Sequence, residues 1–286
     1  DNFFLGKIEN LEWAIRQNDR FHLYREDAAD MAAIDAVVSI EKPDIIFNLA
    51  TKALLYSFFN PSGACSVNLA IALNLAELLR KGRYGSLVHV STSEVYGSAV
   101  TVPMKENHPL LAETTYAAGK AAADLALSSY FNQYNLDIIT IRPFNNYGPR
   151  QNDGALAAIV PLTIKRILSG ENPVIQGDGL QTRDFIFVDD TVDGLLRLLT
   201  FEEARGKIYN LASSHETGIK SVVEKICDLL GYEGEIDYQP SRPADVRRHI
   251  ADVERATGLI GKLNNTSLED GLEKTIEWYR NSRVGN

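Results

Sequence analysis

Short apolar segments rich in β-branched residues alternate with long segments rich in alanine and leucine in the first half of the chain. The short segments predict strands buried on both faces at residues 44–50, 86–92 and 136–143. Between them, residues 61–82 and 116–134 carry Ala and Leu at helical spacing, and the first of these helices is expected to end at Gly82. This alternation predicts an α/β fold with a doubly wound parallel sheet.

The pattern changes at Pro149, where the loop sequence PRQNDG precedes a helical segment and a segment that alternates polar and apolar residues. Further elements are predicted at residues 207–213 (a strand), 221–231 and 268–281 (amphipathic helices). We expect a Rossmann-type domain at residues 1–148 and a smaller mixed region, which binds the substrate, at residues 149–286. Residues 185–213 are expected to return to the first domain.

The composition and net charge of the chain argue against several classes of function. A chain of 286 residues with 45% hydrophobic residues is long enough for one large core or two modest ones. No apolar run approaches the roughly 20 residues that span a bilayer, so we expect a cytoplasmic protein that does not bind membranes. The net charge of −9 argues against nucleic acid as a partner. Cys65 and Cys227 match no metal-ligating or CxxC spacing, so we expect no metal site.

The segment VSTSEVYG, residues 90–97, gathers three hydroxyl side chains and a glutamate directly after a predicted strand. Ligands of α/β proteins bind outside the carboxyl ends of the strands, so these side chains are candidates for chemistry. The alternative is a Ser/Thr-rich turn that only satisfies backbone groups.

Tyr116 and Lys120 stand four residues apart in a predicted helix, so their side chains share one face. A phenol has a pKa near 10, and a neighbouring ammonium group would favour the phenolate and let the tyrosine act as a base. A solvated helix face is the alternative interpretation.

Three motifs occur in a fixed order along the chain: the hydroxyl-rich strand end, the Tyr–Lys helix, and RPFNNYGPR at the end of the next strand. In this order they resemble the extended short-chain dehydrogenase/reductase family, in particular its NAD-dependent nucleotide-sugar epimerases and dehydratases. The resemblance covers nearly the whole chain. It implies that Tyr116 takes a proton from a sugar hydroxyl while NAD takes hydride from the same carbon. It also implies that Lys120 anchors the nicotinamide ribose and lowers the pKa of the tyrosine, and that Thr92 hydrogen-bonds the reacting oxygen. Gly119 departs from the serine or alanine usual in the family, and we expect it to be tolerated.

Within this family, Thr followed by Asp or Ser and then Glu is typical of sugar 4,6-dehydratases, and the chain has Thr92, Ser93 and Glu94. Elimination of water needs a group that removes the proton from carbon 5, the role implied for Glu94, with Ser93 near the leaving 6-hydroxyl. We therefore expect a lyase, a nucleotide-sugar 4,6-dehydratase. A 4-epimerase, a UDP-glucuronate decarboxylase, which can also carry STSEVYG, and a non-catalytic nucleotide-sugar-binding protein remain alternatives, as does a surface role for Glu94.

The resemblance assigns further residues to the two ligands. NAD contacts are implied for Asp1, Asn2, Asp27, Ala28, Leu49, Ala50, Thr51, Asn68, Tyr116, Lys120 and Pro143. Substrate contacts are implied for Asn145, Arg183, Asn210, Arg242 and Asp245. The two arginines would bind the diphosphate bidentately, whereas the alternative for Arg183 is an ion pair with Asp184. Asp27 has the alternative of a turn aspartate, and the amide of Asn68 in an apolar helix needs hydrogen-bond partners.

The glycine-rich turn of a dinucleotide-binding unit does not occur in the sequence, which opens at the acidic residue expected about 20 positions after it. We expect roughly 30 further residues, one strand and one helix, to precede it in the parent protein. Without them NAD binding would be in doubt. The alanine-rich helices at 61–82 and 116–134 resemble those through which family members pair, so we expect a homodimer whose other partner is a UDP-, GDP- or dTDP-hexose.

Overall fold

A computed structural model describes residues 1–17, 20–154, 156–241, 246–263 and 266–283. The strands are β1 (Ile45–Asn48), β2 (Ser86–Val90), β3 (Ile138–Pro143), β4 (Asn145–Tyr147), β5 (Val174–Gln176), β6 (Thr182–Phe187), β7 (Ile208–Leu211), β8 (Glu216–Gly218) and β9 (Asp237–Gln239). The α-helices are α1 (Glu12–Gln17), α2 (Met31–Glu41), α3 (Pro61–Arg80), α4 (Thr115–Tyr134), α5 (Ile159–Leu168), α6 (Val188–Leu199), α7 (Ile219–Leu230), α8 (Glu254–Ile260) and α9 (Leu268–Arg283).

The main sheet is parallel, in the order β1-β2-β3-β7, with Val88 opposite Ile139 and Ile141 opposite Tyr209. Parallel pairing brings the carboxyl ends of all four strands to one edge. The predicted α/β fold and its parallel sheet are confirmed. β3 is buried along its whole length, as its near-continuous apolar sequence predicts.

β1 differs from the prediction that it is buried on both faces. Ile45 and Phe47 are 37% and 39% exposed. Among the described residues β1 pairs only with β2, so it forms an edge of the sheet and its side chains are incompletely covered. The apolar composition of this segment therefore predicted the strand correctly but not the exposure of its side chains.

Two long helices cover one face of the main sheet. α3 begins at Asn60, whose side chain accepts the Gly63 N–H at 2.9 Å, and α4 begins at Thr114, whose hydroxyl accepts the Ala117 N–H at 3.2 Å. Contrary to the expectation from sequence, α3 is long and apolar enough to cross a bilayer. Its apolar face instead packs in a core with α4 and the sheet, so the hydrophobicity of α3 is explained by the fold.

The second half of the chain forms two small sheets, β4-β6-β8 and β5-β9, around a second core. Helices α5, α7 and α9 supply Ile164, Val222 and Ile276 to this core, where they pack near Phe185 of β6. The chain crosses between the halves more than once, because β7 joins the main sheet and Met104 bridges to Ala251. A cavity therefore opens where the carboxyl edge of the main sheet faces the smaller sheets.

Candidate active site

The hydroxyl-rich segment after β2 turns sharply at the carboxyl edge of the sheet. Thr92 caps a single turn of 3-10 helix (Ser93–Tyr96), and its Oγ1 accepts the Glu94 N–H at 3.2 Å. The turn ends at Gly97, whose φ of 65° and whose contact with Leu111 O, 2.0 Å from where a Cβ would lie, require glycine. Thr92 therefore does satisfy a backbone group, and the same turn buries Ser93 and directs Glu94 to the cavity.

Lys120 lies one turn after Tyr116 on α4 and is almost completely buried. Its Nζ donates a hydrogen bond to the Val90 carbonyl at 2.7 Å, which fixes the ammonium group at the end of β2. Burial lowers the pKa of Lys120 to about 8, although the nearby carboxylate of Asp124 opposes this shift. An ammonium carries three N–H donors, so the group can bind a further acceptor here.

The half-buried Tyr116 lies among the side chains of the strand ends. Burial raises the pKa of Tyr116 to about 12, and the Glu94 carboxylate adds to this, whereas the hydroxyls of Thr92 and Thr51 oppose it. The net shift is upward because desolvation of the phenol outweighs the favourable contacts, and the lowering of this pKa by Lys120 stays a prediction. The same interactions place Tyr116, Thr92 and Glu94 close together.

A buried polar chain behind Lys120 was not identified from sequence. The Asn48 amide donates to Nδ1 of His89 at 2.9 Å, so the neutral ring carries its proton on Nε2, 3.8 Å from Asp124 Oδ1. Asp124 Oδ2 in turn accepts from Arg142 Nε at 2.8 Å. Burial lowers the pKa of His89 well below its usual value, which keeps the ring neutral. The one sequence signal was Asp124 itself, an acidic residue four positions after Lys120.

Several residues expected to contact NAD lie in three loops, at residues 1–2, 27–28 and 49–51, which together we call the groove. Leu49, Ala50 and Thr51 follow β1 and are exposed at its carboxyl end. At one end of the groove the Asn2 amide donates to Asp27 Oδ2 at 2.8 Å. Asp27 also accepts the Ala29 N–H at 2.9 Å, the main reason its pKa is lowered, so it is a turn aspartate as well.

Two amides on α3 hold the loops of this groove. Asn68 Oδ1 accepts from Thr51 Oγ1 at 3.1 Å and from Lys52 N at 2.8 Å, and its Nδ2 donates to Lys52 O at 3.1 Å. These contacts supply the partners that the buried amide was predicted to need. Asn74, which sequence reasoning missed, donates to Ala28 O and Ala29 O at 3.1 and 2.9 Å.

The groove residues fit a dinucleotide. The ionised carboxylate of Asp27 lies close to the amino-terminal ammonium group of Asp1 and can accept from ribose hydroxyls, and the Lys120 ammonium has donors left for a further hydroxyl. Asp1 Oδ1 accepts the Phe3 N–H at 2.6 Å, and Pro143 ends β3 directly before the cavity. These are the residues that would hold NAD in this structure.

The substrate side is a cavity of about 520 Å³ between the strand ends and the smaller sheets. Glu94, Asn145 and Arg183 line it, together with apolar residues such as Leu54 and Ile219. Arg183 Nη1 donates to Thr182 O at 2.9 Å, and the neighbouring Asp184 accepts from Ser213 N and Oγ at 2.9 and 2.7 Å and from Ala251 N at 3.2 Å. The cavity therefore combines an apolar wall, a carboxylate and a guanidinium.

Of the other residues expected to contact the substrate, the structure describes Asn210 but neither Arg242 nor Asp245. Asn210 is completely buried and does not line the cavity: its Oδ1 accepts from Tyr96 OH at 2.7 Å and its Nδ2 donates to Met104 O and Asp252 O at 2.9 and 3.1 Å. A side chain with all its hydrogen bonds made inside the protein supports the fold rather than the substrate. Arg242 and Asp245 lie outside the described residues.

Comparison with known proteins agrees with this geometry. The family model described as GDP-mannose 4,6 dehydratase matches residues 1–275. A UDP-glucose 4-epimerase of Mycolicibacterium smegmatis is 34% identical over 283 residues, 98% of this chain and 90% of that protein. A dTDP-glucose 4,6-dehydratase of Actinoplanes sp. is 30% identical over 280 residues, 97% of this chain and 85% of that protein.

Among solved structures, the dTDP-glucose 4,6-dehydratase of Bacillus anthracis in complex with NAD superimposes with a TM-score of 0.85 at 27% identity, covering 98% of this chain and 86% of that one. The match extends over both the groove and the cavity. The chain belongs to the GDP-mannose 4,6-dehydratase family, within the extended short-chain dehydrogenase/reductases, and is an NAD-dependent enzyme of the nucleotide-sugar epimerase and dehydratase type.

Proposed function

We propose that the chain is a nucleotide-sugar 4,6-dehydratase. The observation that carries this proposal is Glu94, whose carboxylate lines the cavity and lies close enough to Tyr116 to raise the pKa of the phenol. A carboxylate beside the proposed base at carbon 4 is positioned to act at the adjoining carbon 5. Inversion at carbon 4 alone would not need it.

Each proposed step uses one group of the site. Tyr116 takes the proton of the 4-hydroxyl, and Thr92 holds the same oxygen. Bound NAD would supply the hydride chemistry at carbons 4 and 6. The ketone at carbon 4 makes the proton on carbon 5 acidic, and Glu94 removes it. Ser93 holds the oxygen at carbon 6, which takes the proton held by Glu94 and leaves as water. A solvent proton then adds to carbon 5 as hydride would return to carbon 6, and Tyr116 releases its proton to solvent, so the sugar loses one water in total.

The diphosphate would bind near Arg183, whose guanidinium lines the cavity. A planar fork of N–H donors suits phosphate oxygens, and a chain with a net charge of −9 needs such a local cation to hold a dianion. Asn145, which begins β4 at the cavity wall, is proposed as a further substrate contact.

The test is mass spectrometry of UDP-, GDP- and dTDP-hexoses after incubation with the chain and NAD. The proposal predicts a product lighter by one water for one nucleotide, and loss of that product in Glu94→Gln. Glu233→Gln, which removes an exposed carboxylate elsewhere, is the matched control and should retain the activity. Turnover without a change in mass would refute the dehydratase assignment.

A second candidate is a 4-epimerase. Ser93 favours it, because a hydroxyl is a poor acid for the departing 6-oxygen and an epimerase needs no acid there. Chromatographic separation of the hexoses would detect the inverted sugar at unchanged mass. Loss of carbon dioxide from UDP-glucuronate would instead show that the chain is a decarboxylase. NAD binding without turnover would show that it is a non-catalytic binding protein.

We also propose that the protein is a cytoplasmic homodimer that pairs through α3 and α4. The exposed outer side of α4 supports this, since Leu125 is 61% exposed there. Light scattering after size exclusion should give twice the mass of one chain, and Leu125→Glu should give a monomer. A monomeric wild type would contradict this proposal.

A further inference from the structure

The backbones of helices α3 and α4 lie very close together at Gly119. A Cβ at this position would lie 2.6 Å from the carbonyl oxygen and 2.7 Å from the Cα of Cys65. Both are backbone atoms, so no rotamer change relieves the clash. Ordinary contact begins at 3.4 Å, so alanine would force the helices apart by about 0.8 Å.

The contact stands beside the site on both helices. Gly119 follows Tyr116 by three residues and precedes Lys120 by one. On α3, Cys65 precedes Asn68 by three residues, about one turn. Separation of the helices at Gly119 would therefore move Asn68 relative to Tyr116.

A movement of Asn68 would also move the loop that follows β1. The buried amide holds Thr51 through its hydroxyl and Lys52 through both backbone groups, in three hydrogen bonds of 2.8 to 3.1 Å. The loop is thus tied to α3, whereas the phenol that Thr51 contacts is on α4. The position of the Thr51 hydroxyl against the phenol depends on the distance between the two helices.

We infer that Gly119 is a positioning residue: by allowing α3 and α4 to touch, it sets the Thr51 hydroxyl, through Asn68, against the hydroxyl of Tyr116. This inference rests on the proposed role of Tyr116 as the base. It reverses the expectation from sequence that glycine at this position is merely tolerated. The Thr51 hydroxyl is one of two that lower the pKa of the phenol, so its displacement would make Tyr116 a weaker source of phenolate.

The kinetic test compares Gly119→Ala, Thr51→Val and the double variant. Misplacement by a fraction of an ångström predicts a fall in kcat of about 10- to 100-fold in Gly119→Ala, with KM nearly unchanged and the rising, acidic limb of the pH profile moved to higher pH. In the Thr51→Val background, Gly119→Ala should lower kcat by less than about threefold. Gly258→Ala, in α8 with no atom within 4 Å of the added Cβ, is the matched control and should leave kcat unchanged.

Equal kcat in Gly119→Ala and wild type, or additive effects in the double variant, would overturn the inference. Crystal structures of the wild type and Gly119→Ala, both without substrate, give a readout independent of activity. They should show a longer distance from Thr51 Oγ1 to the Tyr116 hydroxyl in the variant, and an unchanged distance would also overturn the inference. A wild type without turnover on any nucleotide hexose would refute the proposed function instead.

Discussion

Replacement of Lys120 by methionine should stabilise the fold near neutral pH while it removes the activity. The ammonium is buried beneath the strand ends and has one hydrogen bond, to Val90 O. The fall of its pKa from 10.5 to about 8 corresponds to about 3 kcal/mol of destabilisation when both states are protonated. Methionine removes this cost but leaves the Val90 carbonyl without its donor, which costs about 1–3 kcal/mol. The expected net gain in the free energy of unfolding is about 1 kcal/mol.

The pH dependence is the sharper part of this prediction. The folded state binds the Lys120 proton less tightly than the unfolded state, so wild-type stability rises with pH between the folded pKa near 8 and the unfolded value of 10.5. Methionine has no such dependence. The stability difference between variant and wild type should therefore fall by about 2 kcal/mol from about pH 7 to about pH 9.5.

Urea unfolding of both proteins at the two pH values measures this difference, since groups common to both cancel. Lys207→Met, at an exposed lysine, controls for removal of a positive charge. A difference between Lys120→Met and wild type that does not change with pH would refute the argument that burial depresses the pKa of Lys120.

Two further predictions concern the buried polar groups. Arg142→Leu should lower the free energy of unfolding by about 3–5 kcal/mol in urea titrations, because the buried carboxylate of Asp124 loses its partner. As a control, removal of the exposed Arg16 side chain should lower the free energy of unfolding by less than about 1 kcal/mol. A small loss for Arg142→Leu would show that the pair is not isolated from water. Asn210→Ala should cost about 2–4 kcal/mol because Tyr96 OH and two carbonyls lose their partner, with KM for the nucleotide sugar unchanged. A raised KM at normal stability would instead make Asn210 a substrate contact.

The elements nearest the reacting groups were predictable because their signals are local. β2 and β3 are short segments rich in apolar, β-branched residues, and α3 and α4 carry helical periodicity with polar caps at Asn60 and Thr114. The spacing of Tyr116 and Lys120 likewise depends only on helix geometry. These features follow from residues fewer than about 20 positions apart.

The features that sequence did not predict depend on tertiary contacts. The polar chain behind Lys120 joins side chains from β1, β2, α4 and β3, and no periodicity relates His89 to Arg142. Asn210 is polar at a strand end, which suggested a ligand, but its partners come from segments more than 40 residues away. The net upward shift of the Tyr116 pKa was not predicted for the same reason, since desolvation depends on what the fold packs around the phenol.

The central claim is that Glu94 acts on carbon 5 of a nucleotide hexose, and turnover in deuterium oxide tests it most directly. If the carboxylate removes the carbon-5 proton, that proton exchanges with solvent, and NMR of the product should show deuterium at carbon 5 and a 6-deoxy sugar. Glu94→Gln should give no such product. Turnover by the wild-type chain that leaves protium at carbon 5 would contradict the proposed role of Glu94.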